Sequence, residues 1–178
     1  MKKLFILIIF GSFALNTQAQ YIVGATIGPQ IPFGTMGKIL GVGFGFTATG
    51  KYELNKKMVV GANLGFYGFS GKTVDGIQSS GSMVPITGLF EYHFGKGKVK
   101  PYAGAELGFF SYNSTAAVSG FAMTVTKMCI GFAPTAGALY GLNKKISLCA
   151  NLKFNVVATT GGASTFMGIN VGAFYKIK

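Results

Sequence analysis

The side chains best suited to chemistry gather in one stretch: Glu91 and His93, two residues apart, then Tyr102 and Glu106. A carboxylate beside the chain's single histidine could move a proton or hold a charged solute. Nucleophilic catalysis fits the pattern poorly. Lipid acylation or deacylation would need a serine activated by a base, and no serine stands two residues from His93. Metal-ligand spacing is absent from the sequence. The run Gly41-Val42-Gly43-Phe44-Gly45 alternates strictly and leads into no helical pattern, unlike a phosphate-binding loop. The expectation is therefore no catalytic residue, no cofactor and no metal.

These residues must be positioned by strands, because apolar residues recur with a period of two. Ile146, Leu148, Ala150, Leu152, Phe154 and Val156 alternate with Ser147, Cys149, Asn151, Lys153 and Asn155. A helix would mix these two sets, whereas a strand keeps them on opposite faces. Eight such strands are expected, at about 21–30, 39–53, 58–70, 82–94, 101–112, 123–141, 146–157 and 164–177, with ends uncertain by ~2–4 residues. Parity places Glu91, His93, Tyr102 and Glu106 on one face, with Lys153 at similar depth two strands away. Buried carboxylates need cationic partners. The cluster could be a proton-sensitive or solute-binding site around His93, or a polar plug that holds a barrel shut. The plug is the expectation, since eight-stranded barrels are largely filled by their own side chains.

Composition decides which face points out. The chain is 49% hydrophobic and 11% charged, with 28 glycines, whereas soluble domains average about 25% charged residues. The polar face is mostly Gly, Asn, Thr and Ser, too poor in charge to solvate an exterior. Apolar-out and polar-in is the pattern of a membrane barrel. The formal charge is +12, or +10 without Lys2 and Lys3, and arginine is absent. Lacking the residue best suited to bidentate phosphate contacts, the chain is not expected to bind nucleic acid.

The N-terminus reads as an export signal. Lys2 and Lys3 precede the apolar run Leu4–Leu15, and the small residues Thr17 and Ala19 mark cleavage after Ala19. A signal peptide at 1–19 and a barrel domain at 20–178 follow.

The links alternate in length. Short lysine-bearing turns fall at 53–57, 95–100 and 141–145, and longer Gly/Ser/Thr-rich links at 31–38, 71–81, 113–122 and 158–163. Short turns face the periplasm in such barrels. Ten lysines are expected as a rim at that end: Lys51, Lys56, Lys57, Lys96, Lys98, Lys100, Lys144, Lys145, Lys176 and Lys178. Outward tyrosines Tyr21, Tyr52, Tyr92, Tyr140 and Tyr175 would form an interfacial girdle there. The segment Tyr52–Phe66 recurs as Tyr140–Phe154, sharing Asn-Lys-Lys, Ala, Asn, Leu and Phe in order. Cys129 and Cys149 point inward, but pairing Cys149 with Leu139 leaves Cys129 about 33 Å further along, beyond the ~7 Å of a disulfide. Free thiols are expected.

With these features the chain resembles the small outer-membrane β-barrel family that includes the OmpA, OmpX and OmpW types. The resemblance rests on Phe90-Glu91-Tyr92-His93-Phe94-Gly95, the turn after it and Pro101-Tyr102-Ala103-Gly104-Ala105-Glu106-Leu107-Gly108. Asn170, Gly172, Tyr175 and Ile177 follow the family's C-terminal assembly signal, although the chain ends on Lys178 rather than an aromatic. The resemblance implies an all-β, eight-stranded antiparallel up-and-down transmembrane barrel in the outer membrane. Its partners would be outer-membrane lipids, lipopolysaccharide and the barrel assembly machinery, with the chain a monomer. A structural, surface-interaction or minor solute-passage role is expected, without catalysis. The alternative is a soluble, lipocalin-like periplasmic carrier whose apolar face lines a ligand cavity.

Overall fold

A computed structural model describes residues 20–74, 77–95, 97–118, 121–159 and 162–177. The expected signal peptide, and the rim positions Lys96 and Lys178, lie outside them. Eight strands form one closed antiparallel barrel in chain order. They are β1 (Gln20–Phe33), β2 (Leu40–Glu53), β3 (Met58–Val74), β4 (Ile77–His93), β5 (Val99–Val118), β6 (Phe121–Gly141), β7 (Ile146–Thr159) and β8 (Gly162–Ile177). Closure comes from β1 pairing with β8, from Tyr21 opposite Ile177 to Phe33 opposite Thr165.

Alternation sorts the faces as expected. Phe44, Phe46, Leu64, Phe66, Ile86, Leu107, Phe109, Phe132, Leu152 and Val171 are all exposed on the exterior. Tyr67, Phe110, Phe166 and Phe174 are buried inside. Inward glycines make room for these rings: a Cβ on Gly131 would lie 2.5 Å from the Phe110 ring, and one on Gly45 2.5 Å from Tyr67.

The links opposite the short turns differ from expectation, because the strands run on into them. Pairing continues to Val74 opposite Ile77, Val118 opposite Phe121 and Thr159 opposite Gly162. Cross-strand side chains support the extension, as Thr126 Oγ1 donates to Asn113 Oδ1 at 2.6 Å. Their Ser, Thr and Gly content marks where the strands leave the apolar belt, not where pairing stops. Between β1 and β2 lies a single helical turn, α1 (Gly34–Ile39). It buries Met36 over the end of the lumen, and Lys72 Nζ tethers it by donating to the Gly37 carbonyl at 2.7 Å. Among the described residues β6 carries a long unpaired edge on its β7 side. β6 pairs with β5 along its whole length, but with β7 only from Gly131 to Gly141.

The repeated segment builds the same turn twice. Asn55 Oδ1 accepts the amides of Lys57 at 2.8 Å and Met58 at 2.9 Å. Asn143 Oδ1 accepts those of Lys145 and Ile146, both at 2.8 Å. These Asn side chains stand in for a turn's own backbone acceptor. The tyrosine girdle closes the same end, with the Tyr21 and Tyr52 rings 5.3 Å apart.

Candidate functional site

The interior is layered. Toward the hairpin end, Met36, Leu40, Tyr67, Phe69, Met83, Phe110, Cys129, Val157 and Phe166 form an apolar cluster. Phe166 sits edge-on to Tyr67 and Phe69, with centroids at 5.6 and 5.3 Å. Toward the short turns the lining becomes charged, and there the structure brings together the residues singled out above.

Glu106 on β5 meets Lys153 on β7, Nζ to Oε1 at 2.6 Å, and accepts a hydrogen bond from Thr87 at 2.9 Å. Its in-register neighbour on β6 is Ala133, while Lys153 stands opposite Thr135. Small side chains on the intervening strand let the two reach across it. Glu91 forms a second group of the same plan. Lys51 on β2 reaches across β3 to Glu91, at 2.7 Å to Oε1 and 3.0 Å to Oε2. Gly61 stands opposite Lys51 on that intervening strand. His93 Nε2 lies 3.2 Å from Glu91 Oε2, and its ring is 5.6 Å from that of Tyr102. The Tyr102 hydroxyl lies 3.4 Å from Cys149 Sγ.

Lys51 corrects the expected rim. Its ammonium is buried, paired with Glu91 and 4.0 Å from the centroid of the Phe174 ring. Lys176 is half-buried and paired with Glu53 at 2.8 Å. Chain position near a turn suggested a headgroup contact for both. The inward parity that Lys51 shares with Thr47 and Thr49 was the signal that could have separated it from the rim.

A polar chain that sequence reasoning missed runs beside the ion pairs. Gln30 Nε2 donates to Asn170 Oδ1 at 2.9 Å, and Asn170 Nδ2 donates to Asn151 Oδ1 at 3.0 Å. Among the assembly-signal residues, Asn170 thus belongs to the interior network. Gly172 faces the β1 backbone, where a Cβ would collide with the Ala25 carbonyl. Tyr175 and Ile177 are exposed on the exterior. Cys129 and Cys149 are free and buried, and Cys149 stands opposite Leu139.

Lined by Lys51, Glu91, Tyr102, Glu106, Asn151 and Lys153, among others, is a cavity of about 20 Å³. That is room for a water molecule, not for a solute. Among the described residues no cluster of three or more His, Cys, Asp or Glu could hold a metal ion.

A closed barrel with an apolar belt outside and paired charges inside is built for lipid, the reverse of a soluble carrier. Its shape matches Neisserial surface protein A with a TM-score of 0.65, over 89% of this chain and 99% of that one, at 17% identity. The fold is that of the small outer-membrane β-barrels. Ail, the attachment invasion locus protein of Yersinia pestis, matches at TM-score 0.59 and 14% identity, covering 89% of this chain and 97% of its own. The outer membrane protein OprG of Pseudomonas aeruginosa matches at TM-score 0.58 and 14% identity, over 89% and 95%. No family model and no curated protein matches the chain. At these identities the outer-membrane barrels share a fold with this chain, and its site residues must be read from its own geometry.

Proposed function

We propose that the chain is an integral outer-membrane barrel with a sealed lumen, serving as a structural or surface-interaction element rather than as a solute channel or an enzyme. The observation that carries this reading is the interior itself. Two Lys–Glu pairs and an aromatic layer fill it, leaving between the pairs a cavity of about 20 Å³. The short-turn end faces the periplasm, where tyrosine rings and lysine stems suit the headgroup zone. The paired hairpins then project outward, offering β5 and β6 as the surface best placed to meet another molecule. Asn170, Gly172, Tyr175 and Ile177 on the terminal strand are the residues by which assembly machinery would recognise the chain.

Planar-bilayer recording of the purified barrel tests the sealed lumen. No discrete conductance steps are expected, and sucrose-loaded liposomes bearing the protein should not swell faster than empty ones. Ohmic steps in every insertion would overturn the reading. Retention of the protein in the membrane after a carbonate wash tests the integral location, and its release would favour the soluble carrier instead.

A further inference from the structure

At the short-turn end the barrel opens into a cavity of about 520 Å³, within the range of small-molecule sites. Apolar side chains of Ile22, Leu139 and Phe174 line its deeper part, and Lys98, Lys100, Lys144 and Lys145 its wall. Its other charged groups are already matched. Lys51 pairs with Glu91 and Lys176 with Glu53, while His93 lies against Glu91. Among the described residues no carboxylate lies within ion-pair distance of the four wall lysines.

A rim that served lipid contact alone would place its lysines on the outward face. Lys100 instead stands opposite Leu139, at the inward parity of Tyr102 two residues on along β5. The two turns that carry these lysines are also held together, the Gly141 amide donating to the Lys98 carbonyl at 2.8 Å. Four like charges around a concave apolar floor repel one another and attract a counter-charge.

We propose that this mouth binds an organic anion with an apolar body. Its phosphate, sulfonate or carboxylate group sits among Lys98, Lys100, Lys144 and Lys145, and its apolar part rests on Ile22, Leu139 and Phe174. The anion could be the headgroup end of an acidic phospholipid or a free molecule in the adjoining water. The site belongs to one mouth of the barrel, and its chemistry is the same whether or not the lumen is sealed.

The test uses the barrel in phosphatidylcholine nanodiscs, titrated with naphthalene-1-sulfonate and followed by the probe's fluorescence polarisation, with empty nanodiscs as the blank. Saturable one-to-one binding is expected, weakening as sodium chloride is raised. The K98Q/K100Q/K144Q/K145Q variant, folded by its heat-modifiable migration, should bind at least tenfold more weakly. Leu139→Ser should weaken the probe while leaving the salt dependence unchanged. Displacement by added phosphatidylglycerol, or by soluble inorganic phosphate, supports the site and identifies which source fills it. Equal affinity in the quadruple variant, equal affinity for the neutral analogue naphthalene-1-methanol, or displacement by neither anion would overturn it.

Discussion

The two halves of the barrel interior fill the same narrow space by different means. Around Phe110 and Phe166 the filling is an ordinary apolar core, held by interlocking rings. Around Glu91 and Glu106 it is charge, and each carboxylate is answered by a lysine from two strands away. An apolar layer stabilises in proportion to the area it removes from water and tolerates rearrangement. A buried ion pair gains little net stability, but loses heavily when half of it is removed. The aromatic half thus supplies cohesion. The ionic half supplies registration, since a strand that slipped by one residue would turn its lysine out onto the apolar exterior.

The sharpest way to break this comparison is Glu106→Gln, which leaves the Lys153 ammonium buried without a counter-charge. A loss of about 3–5 kcal/mol is expected in denaturant unfolding from micelles, and a change under 1 kcal/mol would show that the pair carries no such constraint. Phe166→Ala in the aromatic half should cost about 3 kcal/mol. That is the lower end for a buried ring, because α1 and Met36 can settle into the void. The double variant Glu106→Leu with Lys153→Met separates stability from registration. It should unfold within about 1 kcal/mol of the parent or above it. If it is as damaged as Glu106→Gln, the pair is a net stabiliser and the two halves are alike. The smallest effects belong to the twin turns. Asn55→Ala and Asn143→Ala should each cost about 1 kcal/mol, by equal amounts and additively, read from the unfolding midpoint.

Much of the barrel was legible because a strand's two-residue period survives in any environment. Phe154 and Lys153 are neighbours in sequence and lie on opposite sides of the wall, and alternation assigns both without ambiguity. The Glu106–Lys153 pairing was legible in part, from shared parity and depth. What sequence could not carry is the stagger between strands. That stagger sets Lys51 beside Glu91 rather than at the headgroups, and joins Gln30 to Asn170 across the β1–β8 closure. The hairpin ends were misjudged for another reason. Ser, Thr and Gly are read as loop formers, yet paired strands in water are free to carry them once lipid no longer demands apolar side chains. α1 was missed because Gly34–Ile39 is a single turn, too short to show a helical period.

The β5–β6 hairpin leaves the barrel with its own ladder intact beyond Ile130, where β7 no longer accompanies it. β4 stays paired with β5 as far as Gln78 opposite Ala117, so the arm is free only along the outer edge of β6 and beyond that last β4 pairing. Adding two residues to each strand after Ala117 on β5 and before Ala122 on β6, past the last β4 pairing, would lengthen the arm and leave every interior side chain in place. Adding one to a single strand would turn the rest of that strand inside out. The molecule carries an arm that can be extended in steps of about 7 Å, its reach open to change while the barrel wall beneath it stays the same.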